Sequence, residues 1–515
     1  MTIAELVDRS ARLYGERTAV TSEERSLTYA EVHRRTNQLA NGLMSLGFGF
    51  GDRVAILSHN DVYFLEYQFA AAKCGFVQVP LNARISLEEQ IHILNNSGAA
   101  ALLYSDEFAA ALPRIRAEVP SIRFALPLGA EGGDGYEGFL ARQPDSNPEA
   151  PADTGESPLY ILFYSSGTTG QPKGVMLTQA NWLVVAELLL LEFTPMHRSD
   201  VILHLQPLTH GGGFFLLPAF ARGARSIVPR RYEAKATLEL IERHRVTVLK
   251  LVPTMLVQLL QEDKVHDLSS LRHIVYGASP MPHRPLQRAL EVFGPILTQL
   301  YGQAECPMTI SVLPQSEHAG GSRLRAAGRP CLLTQIRVVD EHGLDLTPGE
   351  VGEVIVRGPQ MMQGYWRNPE MTARTMRDGW IYTGDLGYLD REGYVFLVDR
   401  RHDMIISGGF NVYPHEIEDW AYTYPGVLEA VCVGIPDDTW GQLVGLLVTP
   451  KPGATLSRVD MEAQSREHFP TFKRPRVVRV VEAIQKNANG KIARKDALTS
   501  LLAMLADEEQ NVRAE

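Results

Sequence analysis

Residues 164–174 read Tyr-Ser-Ser-Gly-Thr-Thr-Gly-Gln-Pro-Lys-Gly: two serines, two threonines, three glycines and a lysine in eleven positions. An apolar run at 159–163 precedes them and reads as a buried strand, and an amphipathic segment from about Asn181 reads as the helix that follows. A glycine-rich turn brings several backbone N–H groups close to one anion, and hydroxyls and a lysine add donors. That set suits a nucleoside triphosphate. The spacing is not a Walker P-loop, because no Gly-Lys-Ser/Thr follows four residues after a glycine. On its own the stretch also fits a flexible polar surface loop.

Strands and helices alternate on both sides of it. Residues 31–46 read as a helix with Thr28 as N-cap, 53–58 as a strand, 61–73 as a helix, 77–80 as a strand, 87–97 as a helix and 100–104 as a strand. Further on, strands at 201–205, 226–228, 246–251, 271–276 and 296–300 alternate with helices at 214–221 and 235–244. This is the texture of an α/β protein with parallel, doubly wound sheets. From about Gly328 short β runs (335–339, 352–357, 394–397) lie between Gly and Asp turns, as in a small barrel or sheet. Past Asp399-Arg400-Arg401-His402-Asp403, residues 404–505 read as one small α+β unit, and the last ten residues as a frayed polar end. The expected organisation is a large N-terminal domain at 1–399, a hinge at 400–403 and a small mobile C-terminal domain at 404–515. Residues 128–157, rich in Gly, Pro, Ser and acids, read as an exposed connection. Gly133, Gly135 and Gly138 make a GxGxxG pattern there, but no clear helix follows and Pro144, Pro148 and Pro151 come soon after, which argues against a dinucleotide fold.

The 515 residues allow two or more domains with a large core, and 45% hydrophobic with 21% charged residues is the balance of a soluble globular protein. Fifty Lys and Arg against sixty Asp and Glu leave a net charge of −10 without a basic cluster, so nucleic-acid binding is not expected. Cys74, Cys306, Cys331 and Cys432 lie far apart with no CxxC, against a zinc site or disulfide framework and in favour of a reducing compartment, the cytoplasm. Residues 1–14 carry Glu5 and Asp8 and do not read as a signal peptide. The longest apolar run, near 182–193, contains Glu187 and Glu192 and is too short to be a transmembrane segment. A homodimer is compatible with all of this.

In open α/β sheets ligands sit at the loop ends after strands. Four such ends are glycine-rich or polar: 165–174, 207–213, 277–280 and 301–305. Together they imply one cleft. Tyr301 suits stacking on a base, and Glu305 is a hard-oxygen ligand suited to Mg²⁺, or else a helix-start acid beside the macrodipole. Asp385, in Tyr-Thr-Gly-Asp, offers a carboxylate for a ribose diol, or is part of an ordinary turn. Gly277-Ala278-Ser279-Pro280 is not a nucleophile elbow, since Met281 stands where its last glycine belongs. Lys491, after Asn489-Gly490, would in most proteins be a solvated surface charge.

Taken together these residues resemble the adenylate-forming superfamily of acyl-CoA synthetases, peptide-synthetase adenylation domains and beetle luciferases. The resemblance runs from Thr28-Tyr29 to Lys491, through 164–174, 301–305, 382–385, Asp399-Arg400, 407–418 and Gly490-Lys491, in the family's order. It implies that a carboxylate is joined to AMP with release of pyrophosphate and that the acyl group then passes to a thiol. Two anions must meet, so cations and positioning supply much of the catalysis. By resemblance, Lys491 bridges the carboxylate and the α-phosphate and Glu305 holds Mg²⁺. Ser165, Ser166, Gly167, Thr168, Thr169, Gly170 and Lys173 cover the outer phosphates of ATP. Asp385 and Arg400 take the ribose hydroxyls. Gly277, Ala278 and Tyr301 frame the adenine, and Ser279, Gly302, Gln303 and Ala304 belong to the same ATP/AMP-binding set. The small domain rotates about the hinge, so that Lys491 leaves and Gly408 and Gly409 arrive to admit the pantetheine arm of CoA, with Trp440, Phe472, Lys473 and Arg474 towards its nucleotide.

Two positions depart from the family pattern. His402 stands where Asp or Lys is usual at the hinge; it is able to titrate near neutral pH, but a site that tolerates any polar residue is the preferred reading. Asn489 stands where threonine is common before Gly-Lys. The acyl pocket is expected around His210, catalytic or lining, with Gly211, Gly212 and Gly213, whose missing side chains imply extra room or a flexible wall, and with Trp182, Leu251, Val252, Met308 and Thr309. No Asp matches an amino-acid-binding carboxylate, so a small-molecule monocarboxylic acid with a medium-chain, branched or aryl body is expected. An acyl–carrier-protein ligase and a non-catalytic adenylate-binding protein are the alternatives; intact Lys491 and Glu305 argue against the second.

Overall fold

The computed structural model describes residues 1–23, 25–129, 135–149, 158–165, 171–262, 266–319, 321 and 323–514, with the backbone alone for 165, 509 and 511–514. Two large, mostly parallel sheets form the bulk. One has nine strands, among them four parallel neighbours in the order Leu297–Tyr301, His273–Gly277, Val248–Leu251, Val201–His204. The other has seven and carries Leu159–Ser165 beside Val77–Asn82. The helix Tyr63–Cys74 is buried at all twelve positions. It is apolar on every face because it lies under other elements, and its two charges are paired: Glu66 accepts from Arg35 Nε at 2.6 Å, and Lys73 Nζ donates to Asp8 at 2.5 Å. Thr28 caps the helix Tyr29–Ser45 as the sequence predicts, closing a capping box in which Glu31 accepts from Thr28 N at 2.7 Å.

A five-stranded antiparallel sheet follows, in which Trp380–Leu389 pairs with Val395–Arg400 and puts Asp385 opposite Arg400. The last sheet, also of five strands, is built wholly from chain beyond the expected hinge, with Val427–Asp437 and Gly441–Pro450 as its long antiparallel pair. The fold is therefore α/β in two doubly wound sheets plus a β-rich part and an α+β part. Among the described residues no helix is long and apolar enough to cross a membrane.

The structure corrects three local expectations and adds one helix the sequence analysis did not place. A strand intervenes between the 164–174 stretch and the expected helix: Lys173–Thr178 pairs antiparallel with Leu159–Ser165, and the helix follows at Gln179–Leu188. Val175 and Leu177 alternate inward on that strand, a two-residue period hidden by the glycines before it. The connection at 128–157 is not uniformly exposed, because Tyr136–Ala141 is a short helix that buries Tyr136, Phe139 and Leu140; Gly133 falls outside the described residues, while Gly135 is its N-cap and Gly138 lies inside it. A helix at Pro253–Leu259, started by its proline, follows the strand Val248–Leu251. The polar end is not frayed in the backbone, since the closing helix spans Arg494–Ala514.

Candidate active site

Parallel strands release their loops on one side of the sheet, and here those loops wall two adjoining cavities. The smaller, about 70 Å³, is lined by Pro207, His210 and Gly211 after the first of the four strands, Val252 after the next, Ala278, Gly302 and Ala304 after the last two, and Met308. Phe163 reaches it from the other large sheet, and Asn489 and Lys491 from the C-terminal part. The larger, about 850 Å³, shares Ala278, Leu300, Gly302 and Gln303 with it and adds Ser279, Tyr301, Asp385 and Arg400, with Tyr413, His415 and Trp420 opposite. The loop ends at 207–213, 277–280 and 301–305 thus meet in one cleft; Ser166, Gly167, Thr168, Thr169 and Gly170 of the fourth lie outside the described residues, as does the side chain of Ser165.

Backbone conformation at these ends is tightly constrained. Gly277 has φ +155°, and a Cβ there would lie 2.2 Å from the Leu300 carbonyl oxygen; one on Gly302 would lie 2.4 Å from Met308 N. Ala278 (φ 72°) and Met308 (φ 62°) are non-glycine residues in left-handed conformation, and both line the small cavity. Such strain is held only where the surroundings over-determine it.

Asp385 is the polar hub of the large cavity. Its Oδ2 accepts from the Tyr301 hydroxyl at 2.6 Å and from Gln303 Nε2 at 2.7 Å, and Arg400 Nε stands 3.5 Å from Oδ1. Tyr301 is buried; its phenol is pushed well above the ordinary range by burial and then by the Asp385 charge. Glu305 lies outside both cavity walls. Its Oε1 accepts from the Tyr365 hydroxyl at 2.6 Å, and its charge partly offsets the burial that lowers Lys173. No group of three or more His, Cys, Asp or Glu gathers as a metal site among the described residues. A single carboxylate is a sparse donor set, fit for a Mg²⁺ that takes most of its ligands from phosphates and water.

Lys491 closes the cleft from above. A turn holds it: Asn487 Oδ1 accepts from Asn489 N at 3.0 Å and Lys491 N at 3.1 Å, and Gly490 takes φ 79°. That turn is docked on the large sheets, Thr254 Oγ1 donating to the Gly490 carbonyl at 2.8 Å and Asn82 Nδ2 to Asn489 Oδ1 at 3.0 Å. Burial and the nearby Arg400 lower Lys491 to about 8, against the pull of Asp385. His210 stacks on Phe163 with ring centroids 4.7 Å apart, and burial with the Lys491 and Lys250 charges lowers it to about 3, so it is neutral at ordinary pH.

A family model described as AMP-binding enzyme matches residues 7–366, and one described as AMP-binding enzyme C-terminal domain matches 416–491. The chain belongs to the AMP-binding enzyme family. It is 37% identical to a fatty acid–[acyl-carrier-protein] ligase, ScoC, of Streptomyces coeruleorubidus, over 93% of this chain and 92% of that protein. It is 36% identical to a feruloyl-CoA synthase of an Amycolatopsis species, over 94% and 96%. The structure of the anthranilate CoA ligase AuaEII in complex with anthranoyl-AMP superposes with a TM-score of 0.90 at 26% identity, covering 98% of each chain. This AMP-binding enzyme is accordingly an adenylate-forming ligase.

Other expected residues of the AMP-binding enzyme lie elsewhere. Gly408 and Gly409 turn a hairpin between Ile405–Ser407 and Phe410–Val412, where the Gly408 N–H donates to the Trp440 carbonyl at 2.8 Å. Phe472 stacks on Phe410 at 4.5 Å, Lys473 pairs with Glu416 at 2.7 Å, and Arg474 Nε is buried without a partner. None of Gly408, Gly409, Trp440, Phe472, Lys473 and Arg474 lines either cavity. His402 sits in an exposed turn, 3.5 Å from Asp403. Trp182 does not line the small cavity; it stacks on Phe214, which does, with centroids 4.1 Å apart. Leu251 and Thr309 also stand behind the wall.

The glycine trio makes less room than expected. A Cβ on Gly212 would lie 2.6 Å from the Gln206 carbonyl oxygen and one on Gly213 2.4 Å from that of Leu208, so these two serve close backbone packing; only Gly211 faces the cavity. Sequence reasoning missed Lys250, Gln206, Phe163 and Phe214 in the wall. The signal for Lys250 was a charge inside the apolar run 246–252.

Proposed function

We propose that the chain is an AMP-forming acyl-CoA synthetase acting on ATP, a small carboxylic acid and CoA. One observation carries the reading: Lys491 lines the acyl-sized cavity with His210 and Gly302 while its charge is tuned by Arg400 and Asp385 of the nucleotide-sized cavity. A carboxylate oxygen attacks the α-phosphorus, the bond to the β-phosphate breaks, and pyrophosphate leaves. The Lys491 ammonium neutralises the two anions as they meet. Asp385 and Arg400 hold the ribose hydroxyls, Gly277, Ala278 and Tyr301 frame the adenine, and Ser279, Gly302, Gln303 and Ala304 belong to the same ATP/AMP-binding set. His210, neutral and held by Phe163, orients the acid as a hydrogen-bonding wall. Mg²⁺, carried in on the phosphates, would be held by Glu305 and would neutralise phosphate charge; by the family resemblance Lys173 and the residues from Ser165 to Gly170 would cover the outer phosphates.

In the second half-reaction the C-terminal part, 404–515, turns about residues 400–403. Lys491 withdraws, and Gly408 and Gly409 admit the pantetheine arm, with Trp440, Phe472, Lys473 and Arg474 towards the CoA nucleotide. The thiol sulfur, its proton lost, attacks the acyl carbon and AMP leaves. The apolar walls Phe163, Phe214, Val252 and Met308 favour an acid with an apolar body. Buried thiols at all four cysteines suit the cytoplasm, and a homodimer is the assembly to seek by light scattering. The 37% identity to an acyl-carrier-protein ligase keeps a carrier protein as the second acceptor reading.

The test is ATP–pyrophosphate exchange across an acid panel with Mg²⁺, followed by consumption of CoA or of a phosphopantetheinyl carrier. Exchange with some acid is expected. Lys491→Ala should stop it while sparing thioester formation from supplied acyl-adenylate. Silence across the whole panel would end the ligase reading, and transfer to the carrier alone would replace CoA as acceptor.

A further inference from the structure

The small cavity has a lysine in its wall that the proposed chemistry does not use. Lys250 lies on Val248–Leu251, the strand whose Leu249 and Leu251 pack into one core while Val248 packs into another. By alternation Lys250 shares the Val248 face, and it lines the cavity two residues before Val252. It is 5% exposed. Its Nζ donates to the Gly211 carbonyl at 2.8 Å and stands 5.3 Å from the centre of the Phe215 ring. No ion pair to it exists among the described residues, whereas the other buried lysine, Lys73, has Asp8. Burial, and then the charge of Lys491, push its pKa well below lysine's ordinary value, and no acid offsets either. A buried amine whose one hydrogen-bond partner is a carbonyl is an expensive group to keep in an apolar wall.

The space in front of it is kept open. A Cβ on Gly211 would lie 2.7 Å from Lys250 Nζ, 3.2 Å from Gln206 Oε1 and 3.1 Å from Met308 Cε. An amine and a side-chain amide therefore converge on a gap that any larger residue at 211 would fill. The cavity wall thus carries two amines, Lys491 from the C-terminal part and Lys250 from the central strand, among the apolar Phe163, Phe214, Val252 and Met308. The cavity volume of about 70 Å³ is below the roughly 150 Å³ that holds benzene in an engineered apolar cavity, which favours a short body.

Building on the ligase reading, we propose that Lys250 is a specificity residue that donates to a second oxygen of the acid, away from the carboxylate that is activated, so that the substrate is a short acid bearing a distal carboxylate, hydroxyl or carbonyl; Gln206 Oε1 beside it accepts only from a hydroxyl. One carboxylate meets Lys491 and is activated; the distal oxygen accepts from Lys250. An acid ending in a methyl group strands the ammonium against hydrocarbon.

The experiment is pyrophosphate exchange with length-matched acids: pentanoate against 5-hydroxypentanoate, 4-oxopentanoate and glutarate. The wild-type enzyme should favour one oxygenated acid by about tenfold or more in kcat/KM, and the three arms say which oxygen. Lys250→Met, which keeps the volume and removes the charge, should lower that preference ratio by about tenfold. Gly211→Ala, whose Cβ meets Nζ, should lower it independently and stands in if Lys250→Met fails to fold. Equal kcat/KM for all four acids, or a ratio unmoved in both variants, would overturn the role of Lys250 and leave the ligase reading intact. Exchange with none of these acids or of the wider panel would refute the ligase reading and this inference with it.

Discussion

Thr254→Val removes one hydroxyl and keeps the side-chain shape. In the structure that hydroxyl donates to the Gly490 carbonyl at 2.8 Å, one residue before Lys491. The Lys491 turn is otherwise self-supporting through Asn487, so the loss falls on docking rather than on the turn. A neutral hydrogen bond contributes about 1 kcal/mol net, which shifts the docked-to-undocked ratio of the lysine turn about fivefold. Adenylation is proposed to need Lys491 in the cleft, and thioester formation to need it gone. The kcat/KM of pyrophosphate exchange should therefore fall by up to about fivefold, while thioester formation from supplied acyl-adenylate is not slowed. Both half-reactions falling together, or exchange staying at the wild-type rate, would refute the docking argument.

Two further perturbations follow from the cleft. Burial and Arg400 favour the neutral amine of Lys491 and Asp385 opposes them, leaving its pKa at about 8; the ammonium proposed to bridge the two anions is lost above that value, so kcat/KM for adenylation should fall as pH rises through about 8, and a profile flat to pH ~10 would remove Lys491 from the first step. Gly302→Ala drives a Cβ to 2.4 Å from Met308 N, a backbone atom that no rotamer change relieves; a loss of about 1–3 kcal/mol in stability and of ATP-induced thermal stabilisation is expected, and a variant with wild-type melting and ATP response would show the loop to be slack.

Much of this fold was legible because its signals are local. Thr28 with Glu31 closes a capping box, and the helix at Leu87–Ser97 begins on the same device at Ser86. The loop ends at 207–213, 277–280 and 301–305 were visible as punctuation after apolar runs, and parallel topology then forces them together. What escaped was set by tertiary neighbours. The short helix Tyr136–Ala141 exists because Tyr136, Phe139 and Leu140 are covered by the rest of the molecule, which a count of nearby prolines does not reveal. The strand Lys173–Thr178 gains its partner from Leu159–Ser165 across glycines that looked like loop on both sides. Trp182 was expected to line the pocket, yet it stacks on Phe214, which lines the cavity in its place.

The glycine trio shows where residue-type reasoning about a pocket breaks down. Three absent side chains at 211–213 imply space only if the missing Cβ atoms would point into the ligand. At 212 and 213 they would instead strike carbonyl oxygens within 3 Å, so those glycines are fixed by the backbone and cannot tune specificity without disturbing the loop. At 211 the Cβ would meet the ends of three side chains, Lys250, Gln206 and Met308, all of which can rotate away. Gly211 is thus the one position of the three where evolution, or a mutation, can trade cavity for side chain at low cost. Because the atom it would displace first is the Lys250 ammonium, a larger residue there changes the polarity of the pocket wall as well as the pocket's volume. An acid preference that follows residue 211 should therefore be one of chemistry before it is one of chain length.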